Sequence, residues 1–214
     1  MRAGIPTGQT ESTAPPHARI LAVENAPWKA SKGRHVARKP SAVKRTVAKK
    51  PLQNKGSRLP EQLAPGAKAP AFSLPRDGGG MVSLADFAGR KLVLYFYPRA
   101  DTTGCTKEAM DFSRLEGAFA RAGAQIVGVS ADPVPAQDKF KAKYKLAIAL
   151  ASDEMHRMLE AYGVWQQKSL YGRKFMGIVR TTFLIGPDAS ITKVWPKVAV
   201  EGHAEDVLAA AKSL

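Results

Sequence analysis

Apolar and aromatic residues run almost unbroken through Lys91-Leu92-Val93-Leu94-Tyr95-Phe96-Tyr97. A run this continuous, and this short, predicts a strand buried on both faces of a sheet. Pro98 ends it, because proline has no N–H to give the ladder. The period then changes. From Thr103 onward apolar residues recur at Ala109, Phe112, Leu115, Ala118 and Phe119, the spacing of one face of a helix. Between strand and helix, Asp101-Thr102-Thr103-Gly104 reads as a turn whose side-chain oxygens suit helix capping. Upstream, Phe72-Ser73-Leu74 and Met81-Val82-Ser83-Leu84 flank Asp77-Gly78-Gly79-Gly80 as the arms of a hairpin. Downstream the pattern predicts a strand over 125–130, a helix near 135–144, a short strand at 148–150 and a helix near 154–162. A strand at 182–185, a turn at Gly186-Pro187-Asp188, a strand at 191–195 and a helix from about Ala204 complete it. Strands alternating with helices argue an α/β domain with at least part of its sheet parallel.

Charge divides the 214-residue chain sharply. Residues 1–60 hold 13 Lys and Arg against two acids, Glu11 and Glu24, for a net +11. Residues 61–214 hold 20 against 16, for a net +4. The first stretch is rich in Pro, Ala, Ser and Thr and has no sustained apolar period, so disorder is expected there. The 154 residues from 61 to 214 suffice for one compact domain. No run approaches the ~20 apolar residues of a membrane span, and no hydrophobic signal-peptide core follows Met1. The glycine run at 78–80 has no following Lys-Ser/Thr, so it is not a phosphate loop.

Cys105 is the only cysteine. It can form no disulfide within the chain, so it is an inert core thiol, a ligand or a nucleophile. A lone free cysteine is most often a small core hydrophobe. Its setting argues otherwise: it falls in the first turn of a helix that follows a central strand. The unpaired N–H groups and positive dipole end of a helix favour thiolate over thiol. Thr102, three residues earlier, is placed to aim its hydroxyl at the sulfur or at a bound oxygen. Glu108, three residues later on the same face, opposes a thiolate unless a cation pairs with it.

The residues here carry a family resemblance. Pro98-x-x-x-Thr102-x-x-Cys105 is similar to the active-site motif of the peroxiredoxins, thiol peroxidases of thioredoxin-like fold. The wider run from Leu94 to Ala109 resembles the bacterioferritin-comigratory-protein (PrxQ) branch. So do Gly128-Val-Ser-Ala-Asp132, Tyr162-Gly-Val-Trp165 and the run from Met176 to Ile185, in the family's order, over about residues 62–214. The resemblance implies a thioredoxin-like fold, with a central mixed sheet flanked by helices. It implies Cys105 as the peroxidatic cysteine, Thr102 as the hydroxyl that contacts thiolate and peroxide, and Pro98 as a shield of the pocket. It further implies Arg180 as the arginine that stabilises thiolate and departing oxygen, with Glu108 holding that arginine. No metal or organic cofactor is expected, since the sulfur carries both electrons. The chain departs from the branch at one place. Many members carry a resolving cysteine five residues after the first; here that position is Met110, which rules out an internal two-cysteine cycle. The implied partners are a hydroperoxide and an external thiol, thioredoxin first, and the implied state is a monomer or weak homodimer. A single unpaired thiol suits a reducing compartment, the cytoplasm.

Rival readings are weaker. Gly128-Val-Ser130-Ala-Asp132 lacks the last glycine of a nucleophile elbow, and a capped helix start reads better. His17, His35, His156 and His203 are scattered and show no zinc spacing. A dithiol oxidoreductase needs C-x-x-C, and position 102 is threonine. The basic stretch fits nonspecific nucleic-acid binding through residues 1–60, an organelle import segment, or a solvated extension without function. A thioredoxin-like redox sensor or nucleic-acid-binding protein is the non-enzymatic alternative.

Overall fold

The computed structural model describes residues 63–170 and 172–214; the expectations for residues 1–60 lie outside them. A short hairpin, β1 (Ser73–Pro75) and β2 (Met81–Ser83), closes around the glycine run, and a 3-10 turn follows at Leu84–Phe87. Then come β3 (Lys91–Phe96), α1 (Thr103–Arg121), β4 (Ala124–Ser130), α2 (Val134–Tyr144), β5 (Ala149–Ser152) and α3 (Arg157–Ala161). A second hairpin, β6 (Trp165–Leu170) and β7 (Arg173–Ile178), precedes β8 (Thr181–Ile185), β9 (Ile191–Pro196) and α4 (His203–Lys212).

Five strands form the central sheet in the order β5-β4-β3-β8-β9. The three on one side run parallel, whereas β8 lies antiparallel to both β3 and β9. The sheet is therefore mixed and is covered by helices, the arrangement that the sequence resemblance implies. β3 sits at its middle, which is why its sequence is apolar on both faces. Leu92, Leu94 and Phe96 pack with Met158, Leu159 and Tyr162 from the α3 side. Val93, Tyr95 and Tyr97 pack with Phe112 and Phe119 of α1, Phe140 of α2 and Val207 of α4. Alternate residues thus enter two cores, as a period of two requires. One glycine is needed for this. A Cβ at Gly128 would stand 2.5 Å from the Tyr95 hydroxyl on the neighbouring strand, so only glycine leaves room for that ring.

Two boundaries and one element differ from the pattern-based reading. β5 runs one to two residues later than 148–150. α3 starts only at Arg157, because His156 adopts a left-handed backbone (φ 59°) and the Asp153 carboxylate accepts the Leu159 N–H at 2.8 Å. The β6–β7 hairpin was not expected at all. It is a separate two-stranded sheet, and β7 is exposed from Arg173 to Met176. With no buried face there is no apolar alternation to read.

Candidate active site

The antiparallel pairing of β3 and β8 sets Thr181 opposite Phe96. Arg180, one residue before β8, therefore lies beside the carboxyl end of β3, where α1 begins. The ends of strands in open α/β sheets are where sites collect. Here residues 75 positions apart in the chain meet: the Arg180 Nη2 donates to the Cys105 Sγ at 3.2 Å. The other guanidinium nitrogen, Nη1, donates to the Glu108 Oε2 as an ion pair. Cys105 and Glu108 are each 1 % exposed. Three sequence-derived candidates are thus brought together as one partly exposed cation bonded to a buried sulfur and a buried carboxylate.

Cys105 is the third residue of α1. The helix's own bonding starts with the Thr106 N–H to the Thr102 carbonyl at 2.8 Å, so the Cys105 N–H has no carbonyl one turn back and is free to donate toward the sulfur's surroundings. Burial pushes the Glu108 carboxyl up to about 7, against the pull of the Arg180 charge and hydrogen bond. Burial also opposes the Arg180 cation, but the charges of Glu108 and Cys105 and the bonds to both raise its pKa. Both groups are shifted upward, which disfavours the charged carboxyl and favours the charged guanidinium. A guanidinium stays protonated at any biological pH, so the titrating partner is Glu108.

Thr102 and Pro98 stand differently. Thr102 is the N-cap of α1 but makes no side-chain cap bond. Its exposed hydroxyl donates instead to the Arg99 carbonyl at 3.0 Å, leaving its lone pairs open. Pro98 is exposed at the strand end. The hydrogen bond to the sulfur comes from Arg180 and not from Thr102. The turn between them is cross-braced from elsewhere. The Ala100 N–H donates to the Asp132 Oδ2 at 2.7 Å, and the Ser130 Oγ donates to the same oxygen at 2.7 Å. Gln137 extends this network, accepting from the Tyr97 hydroxyl and donating to the Ser130 Oγ at 2.8 Å. Asp101, left-handed at φ 58°, receives the Lys143 Nζ on both oxygens at 2.8 Å and the Tyr144 hydroxyl at 2.7 Å. Those bonds hold the Asp101 carboxyl below its ordinary range.

Two expectations are corrected here. Asp132 caps no helix: the N-cap of α2 is Pro133 and makes no side-chain cap bond, and the Asp132 carboxylate ties down the cysteine-bearing turn. Nor do the oxygens of Asp101 and Thr102 cap α1. Lys168 was not singled out in the sequence, yet its Nζ donates to the Ile178 carbonyl, two residues before Arg180. Burial lowers its pKa, helped by the Arg180 charge and opposed by Cys105. The polar cluster just past β4 was its own signal for Asp132; nothing in the local pattern marks Lys143, Tyr144 or Lys168.

Residues 65–194 match the model of the AhpC/TSA family. The chain belongs to that family. Its relatives place it in the Bcp peroxiredoxin branch. The peroxiredoxin Bcp of Bacillus subtilis is 42 % identical over 149 residues, 70 % of this chain and 95 % of its own. The peroxiredoxin Bcp of Xanthomonas campestris is 44 % identical over 147 residues, 68 % of this chain and 92 % of its own. A solved structure of the Xanthomonas campestris bacterioferritin comigratory protein, described for its alkyl peroxide reduction activity, matches with a TM-score of 0.64 at 43 % identity. It covers 66 % of this chain and 90 % of that one. Among the described residues of this peroxiredoxin, no group of three or more His, Cys, Asp or Glu could hold a metal ion. No helix among them is long and apolar enough to cross a membrane.

Proposed function

We propose that the chain is a one-cysteine thiol peroxidase that reduces hydrogen peroxide and organic hydroperoxides at Cys105, an antioxidant enzyme. The observation that carries this reading is the Arg180 guanidinium 3.2 Å from the sulfur, held on its far side by Glu108. The Cys105 thiolate attacks the terminal oxygen of the hydroperoxide, the O–O bond breaks, and alcohol or water leaves after protonation. The sulfur becomes a sulfenic acid and supplies both electrons. Arg180 and the Cys105 N–H stabilise the charge growing on the leaving oxygen, and the Thr102 hydroxyl joins them when it turns its proton from the Arg99 carbonyl to the bound peroxide. Glu108 positions Arg180, and Pro98 shields the thiolate from bulk water.

With no second cysteine in the chain, the sulfenic acid is returned to thiol by an external thiol through an obligatory mixed disulfide. Thioredoxin is the reductant we assign. That need places the enzyme in the cytoplasm, where thiol reductants are maintained. It acts as a monomer or weak homodimer on a catalytic domain of residues 61–214. Residues 1–60, with a net +11, form an accessory stretch suited to nonspecific contact with nucleic-acid phosphates. Its removal lowers salt-sensitive DNA binding while peroxide turnover persists.

The test is intact mass against time after one equivalent of hydrogen peroxide, with Cys105→Ser beside it. Rapid gain of one oxygen at Cys105, captured by thioredoxin as a mixed disulfide, is the expected result. Oxidation no faster than a free thiol, with methionines oxidised equally, would sink the reading.

A further inference from the structure

The β6–β7 hairpin lies outside the central sheet, and the catalytic step makes no use of its side chains. Its 14 residues, 165–178, carry Lys168, Arg173 and Lys174 and no acid. They thus hold +3 of the net +4 of residues 61–214. Among the described residues no carboxylate pairs with any of the three. Beside these cations stand Phe175 and Met176, 45 % and 47 % exposed. Lys168 and Phe175 are register partners, and a Cβ on Gly177 would touch both side chains at 3.5 Å, so cation and ring share one face. Arg173 and Phe175 stand on that same face of β7, and Lys174 and Met176 on the other; an arginine beside an exposed aromatic ring has the composition of an interface core rather than of ordinary surface.

Place adds to composition. β7 runs through Val179 directly into Arg180, and the Lys168 Nζ is bonded to the Ile178 carbonyl on that path. The hairpin therefore leads along the chain directly into the side chain that contacts the sulfur. We infer that this hairpin is the docking surface for the protein dithiol that reduces oxidised Cys105, and that this partner presents acidic side chains around an apolar patch beside its thiol. The inference rests on the peroxidase reading above. A second copy of this chain fits poorly, because two cationic hairpins repel.

The chemistry balances with that partner alone. Its thiol sulfur attacks the Cys105 sulfur, the S–O bond breaks, and the hydroxyl leaves with the thiol proton as water while an S–S bond forms. The partner's second thiol then attacks its own sulfur in that mixed disulfide. The bond to Cys105 breaks, and Cys105 leaves as thiolate and takes up a proton. Cys105 gains two electrons and the dithiol becomes a disulfide.

The test compares the full chain with Arg173→Glu/Lys174→Glu and Phe175→Ala, using two reductants: a thioredoxin of net negative charge, and dithiothreitol. Cys105 oxidation is followed separately by stopped flow. The charge-reversed variant is expected to lose on the order of ten-fold or more in kcat/KM for thioredoxin and to lose its salt dependence. Its dithiothreitol turnover and oxidation rate stay unchanged. Normal thioredoxin kinetics in both variants would overturn the docking surface. So would equal loss with both reductants, or no thioredoxin turnover by the parent chain, or a parent dimer that the reversal dissociates. Failure of the parent chain to turn over peroxide even with dithiothreitol would instead overturn the peroxidase reading itself.

Discussion

The β3–α1 turn, which leads into Cys105, and the β6–β7 hairpin, which leads into Arg180, are built in opposite ways. The β3–α1 turn is tied down by Asp132, Lys143 and Tyr144 from distant parts of the chain, and α1 behind it buries Cys105, Glu108, Ala109 and Phe112. The β6–β7 hairpin pairs only with itself and, beyond Trp165 and Ile178 at its base, leaves Phe175 and Met176 in water. The contrast assigns different tasks. A nucleophile must be held within a fraction of an ångström of its hydrogen-bond donors. A surface that meets a partner needs its apolar and charged groups uncovered. On the proposed function, bracing is concentrated where bonds break, and exposure where the proposed partner arrives.

The largest effect expected from breaking this contrast is in packing. Phe112, fully buried and stacked on Tyr95 at 4.8 Å, should cost about 3–5 kcal/mol as Phe112→Ala. Phe175→Ala should stay within about 0.5 kcal/mol. Urea unfolding of the two variants side by side measures the difference, and equal losses would mean the hairpin is packed in solution. Next comes Arg180→Lys, which keeps a charge but loses the fork that reaches sulfur and carboxylate together. Peroxide oxidation of Cys105 should slow on the order of 10²-fold, with stability little changed; an unchanged rate would remove Arg180 from the chemistry.

A pH experiment sharpens the comparison further. The folded pKa of Glu108, about 7, stands above the ordinary 4.5 because of burial. The folded chain therefore binds this proton more tightly than the unfolded chain. The contribution is complete below about 4.5 and is lost as pH rises to about 7. Over that window wild type should lose up to ~3 kcal/mol relative to Glu108→Gln, as read from denaturant melts at each pH. Parallel curves would show that Glu108 stays ionised throughout. The smallest effect is on the brace: Asp132→Ala leaves the Ala100 N–H without its acceptor. It should cost about 1–2 kcal/mol and speed alkylation of Cys105, while turnover with dithiothreitol persists.

Legibility followed burial and locality. The strand at 91–96 and the helix from 103 could be read because each repeats one spacing against a core. The hairpin at 165–178 could not, since Gln166, Gln167, Lys168 and Ser169 show no apolar alternation and the only stabilising pairing is local. At the site, Cys105 stood out by its uniqueness and its place at a helix start, and the resemblance pointed to Arg180, Glu108, Thr102 and Pro98. Asp132 was visible but misassigned: a carboxylate just past a strand reads as a helix cap when its acceptor role depends on the Ala100 N–H, 32 residues earlier.

Sequence by itself determined the alternation of strands and helices, the division of charge between residues 1–60 and the rest, and the presence of one thiol with no internal partner. Those properties are local or compositional, so no contact is needed to read them. Only the tertiary structure decided that one guanidinium bridges the sulfur and a buried carboxyl, that burial lifts that carboxyl to about 7, and that Lys143 and Tyr144 hold the turn. Each of these depends on sheet register and on exclusion of water, and both arise only when segments far apart in the chain pack together.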